Sequence, residues 1–109
     1  MKTVKFRDYL VQPVLLGEKT STWRLFDDKA LSVGDEIELK EFGKDEAFGE
    51  AVITKVLEKK FSDLTDQDKQ GHETYSSDKE MYETYSGYYK QIVGPGTLLK
   101  IIWFELKEV

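Results

Sequence analysis

Short stretches of alternating apolar residues, turn residues between them, and only two or three segments with helical spacing predict a mixed α/β, β-rich fold, a small barrel with two or three short helices. The cleanest alternation is Glu36–Lys40, where Ile37 and Leu39 face in and Glu36, Glu38 and Lys40 face out. Glu50–Leu57 and Leu98–Leu106 are apolar on both faces, which suits strands inside a barrel or sandwich rather than at an edge.

The remaining elements follow in chain order. Lys2–Phe6 reads as a first strand. Pro13 is tolerated in a first helical turn but not in a helix interior, so a short helix is expected near Gln12–Leu16, capped by Gly17. Thr20–Leu25 reads as the next strand, because threonine and tryptophan favour extended chain. Phe26–Lys29 reads as a loop, and Ser32–Asp35 and Phe42–Asp45 as tight turns. In Glu50–Leu57 the alternation puts Ala51, Ile53 and Leu57 on one face and Val52, Thr54 and Val56 on the other. Thr65 is placed to cap a short helix through Gln70, ended by Gly71. Ser77 and Glu80 have capping-box spacing, and Met81, Tyr82, Tyr85 and Tyr89 continue at helical intervals. Tyr75, Tyr82, Tyr85, Tyr88 and Tyr89 invite a base-stacking reading, but helical spacing makes packing against the barrel the better explanation for Tyr82, Tyr85 and Tyr89. Gly94-Pro95-Gly96 forces a turn before the last strand.

At 109 residues the chain suits a single domain, residues 1–109, with a core large enough to need no staple. It has no cysteine, which excludes disulfides, thiolate metal sites and a cysteine nucleophile, and suits a cytoplasmic location. No apolar run is long enough to cross a bilayer, so no membrane association is expected. The net charge of −5, from 21 acidic and 16 basic residues, argues against a grip on long duplex DNA. The cations Lys2, Lys5, Arg7, Lys19 and Arg24 nevertheless gather toward the N-terminus, which points to where an anionic ligand would sit. There is no Gly-rich phosphate loop or dinucleotide fingerprint, and no cofactor is expected. Asp63, Asp66 and Asp68 lack the glycine and terminal glutamate of a calcium loop and read as a solvated acidic face; with one histidine, no metal site is expected. The sequence leaves the oligomeric state open.

The segment richest in chemistry is Gly17 to Arg24, which packs two cations, three hydroxyls and an indole into the passage from helix to strand. On an extended strand Thr20, Thr22 and Arg24 share one side. Each residue also has a plain structural reading. Lys19 suits a helix C-terminus, Thr22 is a strand former, Arg24 has Asp27 and Asp35 as candidate partners, and His72 reads as an exposed loop histidine. Trp23 and Trp103 read as core, with one of them a candidate for a cleft floor.

The pattern Gly17-x-Lys19-Thr20-x-Thr22-x-Arg24, after a short apolar helix and before Val33-Gly34-Asp35, resembles the signature of the ASCH domain family. Phe61–Thr65, Gly71-His72-Glu73, the tyrosine-rich helix and the closing strand Ile102–Leu106 extend the resemblance over nearly the whole chain. The resemblance implies a PUA-like β-barrel with a cleft over the Lys-Thr-Arg segment that binds RNA or a modified nucleoside. Thr20, Ser21, Arg24 and His72 would then be ligand contacts. Some small bacterial members remove the acetyl group of N4-acetylcytidine with a lysine, a threonine and a glutamate. The first two match Lys19 and Thr22; the acidic position falls on Glu73, His72 or Gln70, depending on where a short gap is placed, with Glu73 taken as the carboxylate. In such a reaction Thr22 serves as nucleophile or oxyanion donor, and Lys19 as a base once burial or Arg24 lowers its pKa.

Overall fold

The computed structural model describes residues 1–26 and 29–107. Five strands form one mixed sheet in the order β1-β3-β4-β5-β2, curved into a half-barrel with two helices. The strands are β1 (Lys2–Phe6), β2 (Ser21–Arg24), β3 (Glu36–Glu41), β4 (Ala47–Lys60) and β5 (Leu98–Leu106). The helices are α1 (Asp8–Leu15) and α2 (Asp78–Tyr89), with one 3-10 turn at Phe61–Asp63. β1 runs parallel to β3 and the other pairs are antiparallel. The barrel expectation holds with one qualification: β1 and β2 are the two edges, and a seam is left where a closed barrel would have a ladder.

Apolar side chains collect in two clusters. The first, between α1 and the β1/β3/β4 part of the sheet, contains Val4, Phe6, Leu10, Val14, Ile37, Leu39, Ile53 and Phe104. The second, under α2, contains Trp23, Phe61, Met81, Tyr85, Leu99 and Ile101. Burying each large aliphatic side chain contributes about 1.5–3 kcal/mol. β5 feeds both clusters, Ile102 and Phe104 one way and Leu99 and Ile101 the other, which is why it is apolar on both faces. Trp23 is core, whereas Trp103 is half-buried beneath the Lys55 ammonium, 4.9 Å from its ring.

Four local expectations need correction. Helix α1 begins at Asp8, not Gln12, so Pro13 lies inside it. Burial of Leu10 and Val14, one helical turn apart, outweighs the lost Pro13 N–H. Pro13 stands close enough to the end that its own carbonyl turns outward, accepting from the backbone N–H groups of Glu18 (3.0 Å) and Lys19 (3.1 Å). Gly17 then adopts φ +77°, the left-handed conformation expected of it, and the chain doubles back to bring Lys19 inward.

The second correction concerns β4, which is longer than Glu50–Leu57. A bulge at Thr54, between the Ile53–Phe104 and Lys55–Trp103 pairs, reverses the alternation. Val56 therefore joins the cluster of Ile53, on the face the alternation gave to Leu57. Third, Thr65–Gln70 forms turns rather than a helix. Thr65 and Asp68 exchange hydrogen bonds, Asp68 N–H to Thr65 Oγ1 at 3.1 Å and Thr65 N–H to Asp68 Oδ2 at 3.0 Å, and Gly71 (φ +77°) stops the turn. Fourth, Asp68 is buried and paired with Lys59 at 2.6 Å, so it is not part of a solvated acidic face. Helix α2 starts as expected, with Ser77 Oγ accepting from the Glu80 N–H at 3.1 Å. Among the described residues no helix is long and apolar enough to cross a membrane.

Candidate functional site

The seam between β1 and β2 opens into a cleft of about 200 Å³, where the two apolar clusters meet. Phe6 and Leu10 come from one cluster and Trp23 and Tyr85 from the other. Lys19, Thr22, Arg24, His72 and Glu73 also line it, so the structure brings five of the seven sequence candidates together.

Lys19 is 4% exposed, and its ammonium donates to the Glu73 carboxylate and to the Ser21 carbonyl at 2.8 Å. Of the three donors on an ammonium, one is left for a ligand. Burial lowers the Lys19 pKa and the Arg24 guanidinium lowers it further, against the pull of Glu73, so its neutral amine forms below the usual lysine range. Burial by itself would raise the Glu73 carboxyl. The charge of His72 when protonated, then that of Lys19 and its hydrogen bond, bring it below the ordinary value. Of the three alternatives for the acidic position, Glu73 is the one that meets Lys19; Gln70 is exposed and outside the cleft.

Thr22 is 8% exposed on the cleft wall, and among the described residues its hydroxyl makes no hydrogen bond. The expectation that Arg24 pairs with Asp35 is overturned. Asp35 is held by Lys2 at 2.8 Å, and Asp27, the other candidate, lies outside the described residues. Arg24 has no carboxylate partner among the described residues, and its Nε is buried without a hydrogen bond.

Thr20 and Ser21 stand apart from the cleft. Thr20 is exposed with its Oγ1 packed against Gly71, and the Ser21 side chain is fully buried, 3.5 Å from the Gln70 carbonyl. Their role is to fasten two chain segments. The Gly71 carbonyl accepts from the N–H groups of Thr20 (2.8 Å) and Ser21 (3.2 Å), which fixes Glu73 opposite Lys19.

His72 is buried rather than exposed, with its ring stacked on Trp23 at 3.8 Å between centroids and 14° between planes. Its Nδ1 lies 3.0 Å from the Glu73 carbonyl, an acceptor, so Nδ1 carries the proton. Nε2 then accepts from the Tyr85 hydroxyl at 3.1 Å, a phenol that burial holds well above its usual pKa. Burial and the neighbouring Lys19 charge push the His72 pKa down to about 4. The ring is therefore a neutral positioning group that orients Glu73. Since the folded pKa lies below the unfolded 6.5, the unfolded chain binds more protons between the two values. Stability is expected to be complete above pH 6.5 and to fall as pH drops toward 4, by on the order of 3 kcal/mol from this group. Urea melts across that range check it: His72→Gln should flatten the slope, and an unchanged slope would assign the dependence to other groups.

Of the cleft's aromatic lining, the sequence offers Tyr88 and Tyr89 for base stacking and a tryptophan for the floor, but not Phe42. Phe42, Tyr88 and Tyr89 come to it from the end of β3 and from α2, brought there by sheet curvature that no local pattern encodes. Among the described residues no cluster of three or more histidine and acidic side chains is arranged to hold a metal ion.

The half-barrel has the fold of solved ASCH domains. The chain is similar to the ASCH domain of Lactobacillus crispatus at 12% identity and a TM-score of 0.73, over 96% of this chain and 79% of that one. It is similar to a protein of Enterococcus faecalis at 19% identity and a TM-score of 0.71, over 90% and 69%. It is also similar to the ASCH protein of Zymomonas mobilis at 11% identity and a TM-score of 0.64, over 97% and 66%. By sequence the chain matches no protein-family model and no curated protein.

Proposed function

We propose that the seam cleft binds a modified pyrimidine nucleoside, free or within RNA, and hydrolyses the N4-acetyl amide of acetylated cytidine. The observation that carries this reading is the buried Lys19–Glu73 pair in one cleft with the unpartnered Thr22 hydroxyl. A lysine kept only for its charge has no need of a dry site. One that must give up its proton is helped by burial and by a nearby cation, and both lower the Lys19 pKa against the pull of Glu73.

In the reaction the Thr22 hydroxyl attacks the acetyl carbon while the Lys19 amine takes its proton. The C–N bond breaks as that proton passes to the cytosine N4, leaving cytidine and an acetyl ester on Thr22. Water, held by Glu73, then hydrolyses the ester, releasing acetate and restoring the hydroxyl. A cleft of about 200 Å³ is below the roughly 300–1,000 Å³ of pockets that engulf drug-sized ligands, so it takes the acylated base while the sugar rests on the rim.

The test is release of cytidine from N4-acetylcytidine by Thr22 variants. Thr22→Val should lose roughly 10²–10⁴ in kcat, whereas Thr22→Ser keeps the hydroxyl and most of the activity. A valine variant as active as the parent would remove Thr22 from the chemistry. A second reading, ligand binding without reaction, is favoured by the aromatic rim of Phe42, Tyr88 and Tyr89. It would be supported by a folded protein that binds cytidine and leaves the acetyl group in place.

A further inference from the structure

We propose that the rim of the seam cleft is a phosphate subsite built by Lys5, Arg7 and Arg24, so that the ligand is a phosphorylated nucleoside rather than a free one. This rests on the proposed nucleoside cleft and concerns a part of it separate from the Lys19–Glu73 pair.

In a chain of net charge −5, four cations line the cleft, Lys5, Arg7, Lys19 and Arg24, against the single carboxylate of Glu73. Lys19 and Glu73 satisfy each other. The other three have no ion pair among the described residues, although acidic side chains outnumber basic ones in the whole chain. Cations left unpaired on one concave surface raise the local concentration of an anion.

Geometry adds to this. The Arg7 guanidinium lies 4.2 Å from the Tyr88 ring centroid and 5.7 Å from that of Phe42. Tyr88 is itself held by a hydrogen bond between its hydroxyl and that of Tyr9, at 2.9 Å. A guanidinium placed over aromatic rings has lost much of its rotamer freedom while its N–H edge stays open, the form that suits a phosphate's paired oxygens. Arg24 is likewise fixed, its Nε buried in the wall of β2. Lys5, exposed on the β1 edge, faces the seam from the other side. A neutral nucleoside has no group that needs three cations. A phosphate ester does, whether it belongs to a mononucleotide or to an RNA backbone.

The measurement is calorimetric titration with cytidine, cytidine 5′-monophosphate and a short single-stranded oligoribonucleotide with one central cytidine. At low salt the monophosphate should bind at least tenfold more tightly than cytidine. The ratio should approach one in Lys5→Ala/Arg7→Ala and in Arg7→Glu, each checked by thermal melting; both side chains are exposed, so neither change disturbs the core. An oligonucleotide that binds no more tightly than the monophosphate identifies a mononucleotide as the source of the phosphate, and one that binds more tightly identifies RNA. Equal affinities for cytidine and its monophosphate, no binding of the monophosphate, or a ratio unchanged in both variants would overturn the proposal. Phosphate-dependent binding by a protein that leaves N4-acetylcytidine intact would remove the hydrolase reading and leave this subsite standing. Hydrolysis with no phosphate preference would do the reverse.

Discussion

Lys19→Met is expected to lower kcat/KM for N4-acetylcytidine by roughly 10²–10⁴ while the domain stays folded. Methionine nearly matches the lysine stem in length and is at home in a site only 4% exposed. Removing one partner of a buried ion pair costs about 3–5 kcal/mol when the charge left behind is dry. Here the remaining charge is Glu73, whose side chain keeps 26% exposure and with it contact with water, so the loss should fall below that range. The opposite change, Glu73→Leu, strands the drier partner and should cost more stability. The pH profile of the unmodified protein separates two roles for the lysine. Its folded pKa lies below the ordinary 10.5, so if the amine is the base, kcat/KM rises with pH through that lowered value and then levels. A profile that falls over the same interval would make the ammonium the working form and Lys19 an oxyanion donor.

Gly71→Ala should have the largest effect on stability, roughly 2–5 kcal/mol from two sources that act together. Its φ of +77° strains any residue with a Cβ, by about 1–2 kcal/mol. The added methyl would also stand 2.0 Å from Thr20 Oγ1 and 3.3 Å from Thr20 Cβ, an overlap worth about 1–3 kcal/mol unless the segment shifts. A shift has a functional consequence, because the Gly71 carbonyl ties the segment of Lys19 and Thr22 to the loop of His72 and Glu73. Activity should therefore fall in protein that remains folded at low temperature. Urea denaturation of Gly71→Ala, Thr20→Gly and the double variant forms a cycle. The double variant should recover the steric part and not the backbone part, so a full loss in all backgrounds would show that Thr20 is not the obstacle.

The strands were largely legible in the sequence, because alternation and turn residues act locally. β1 and β5 fall where the pattern puts them, and Ile37 and Leu39 are fully buried as their parity requires. What escaped the pattern depends on contacts far apart in the chain. The Thr54 bulge is set by pairing with β5, and the start of α1 by the burial of Leu10 beneath a sheet the local sequence does not describe. The turns at Thr65–Gln70 carry capping residues without an apolar face to bury, so the cap closes one turn and no helix grows from it.

The candidate site divides in the same way. Lys19, Thr22 and Arg24 lie on one short segment and stood out for their chemistry. The partnership of Lys19 with Glu73 spans 54 positions and needed the fold. So did the burial of His72, which looks solvated from its polar neighbours and is covered by Trp23 and Tyr85. Lys5 and Arg7 counted in the sequence only as part of a basic N-terminal region; edge-strand geometry puts them on the rim of the cleft.

Proton NMR of the unmodified protein with N4-acetylcytidine separates a reaction centre in the seam cleft from a binding site. With the proposed hydrolysis, free acetate and cytidine appear in equal amounts and keep accumulating beyond one equivalent of protein. Folded protein that leaves the acetyl signal unchanged, while cytidine still perturbs the Trp23 indole resonance, would contradict it and make the cleft a binding site alone.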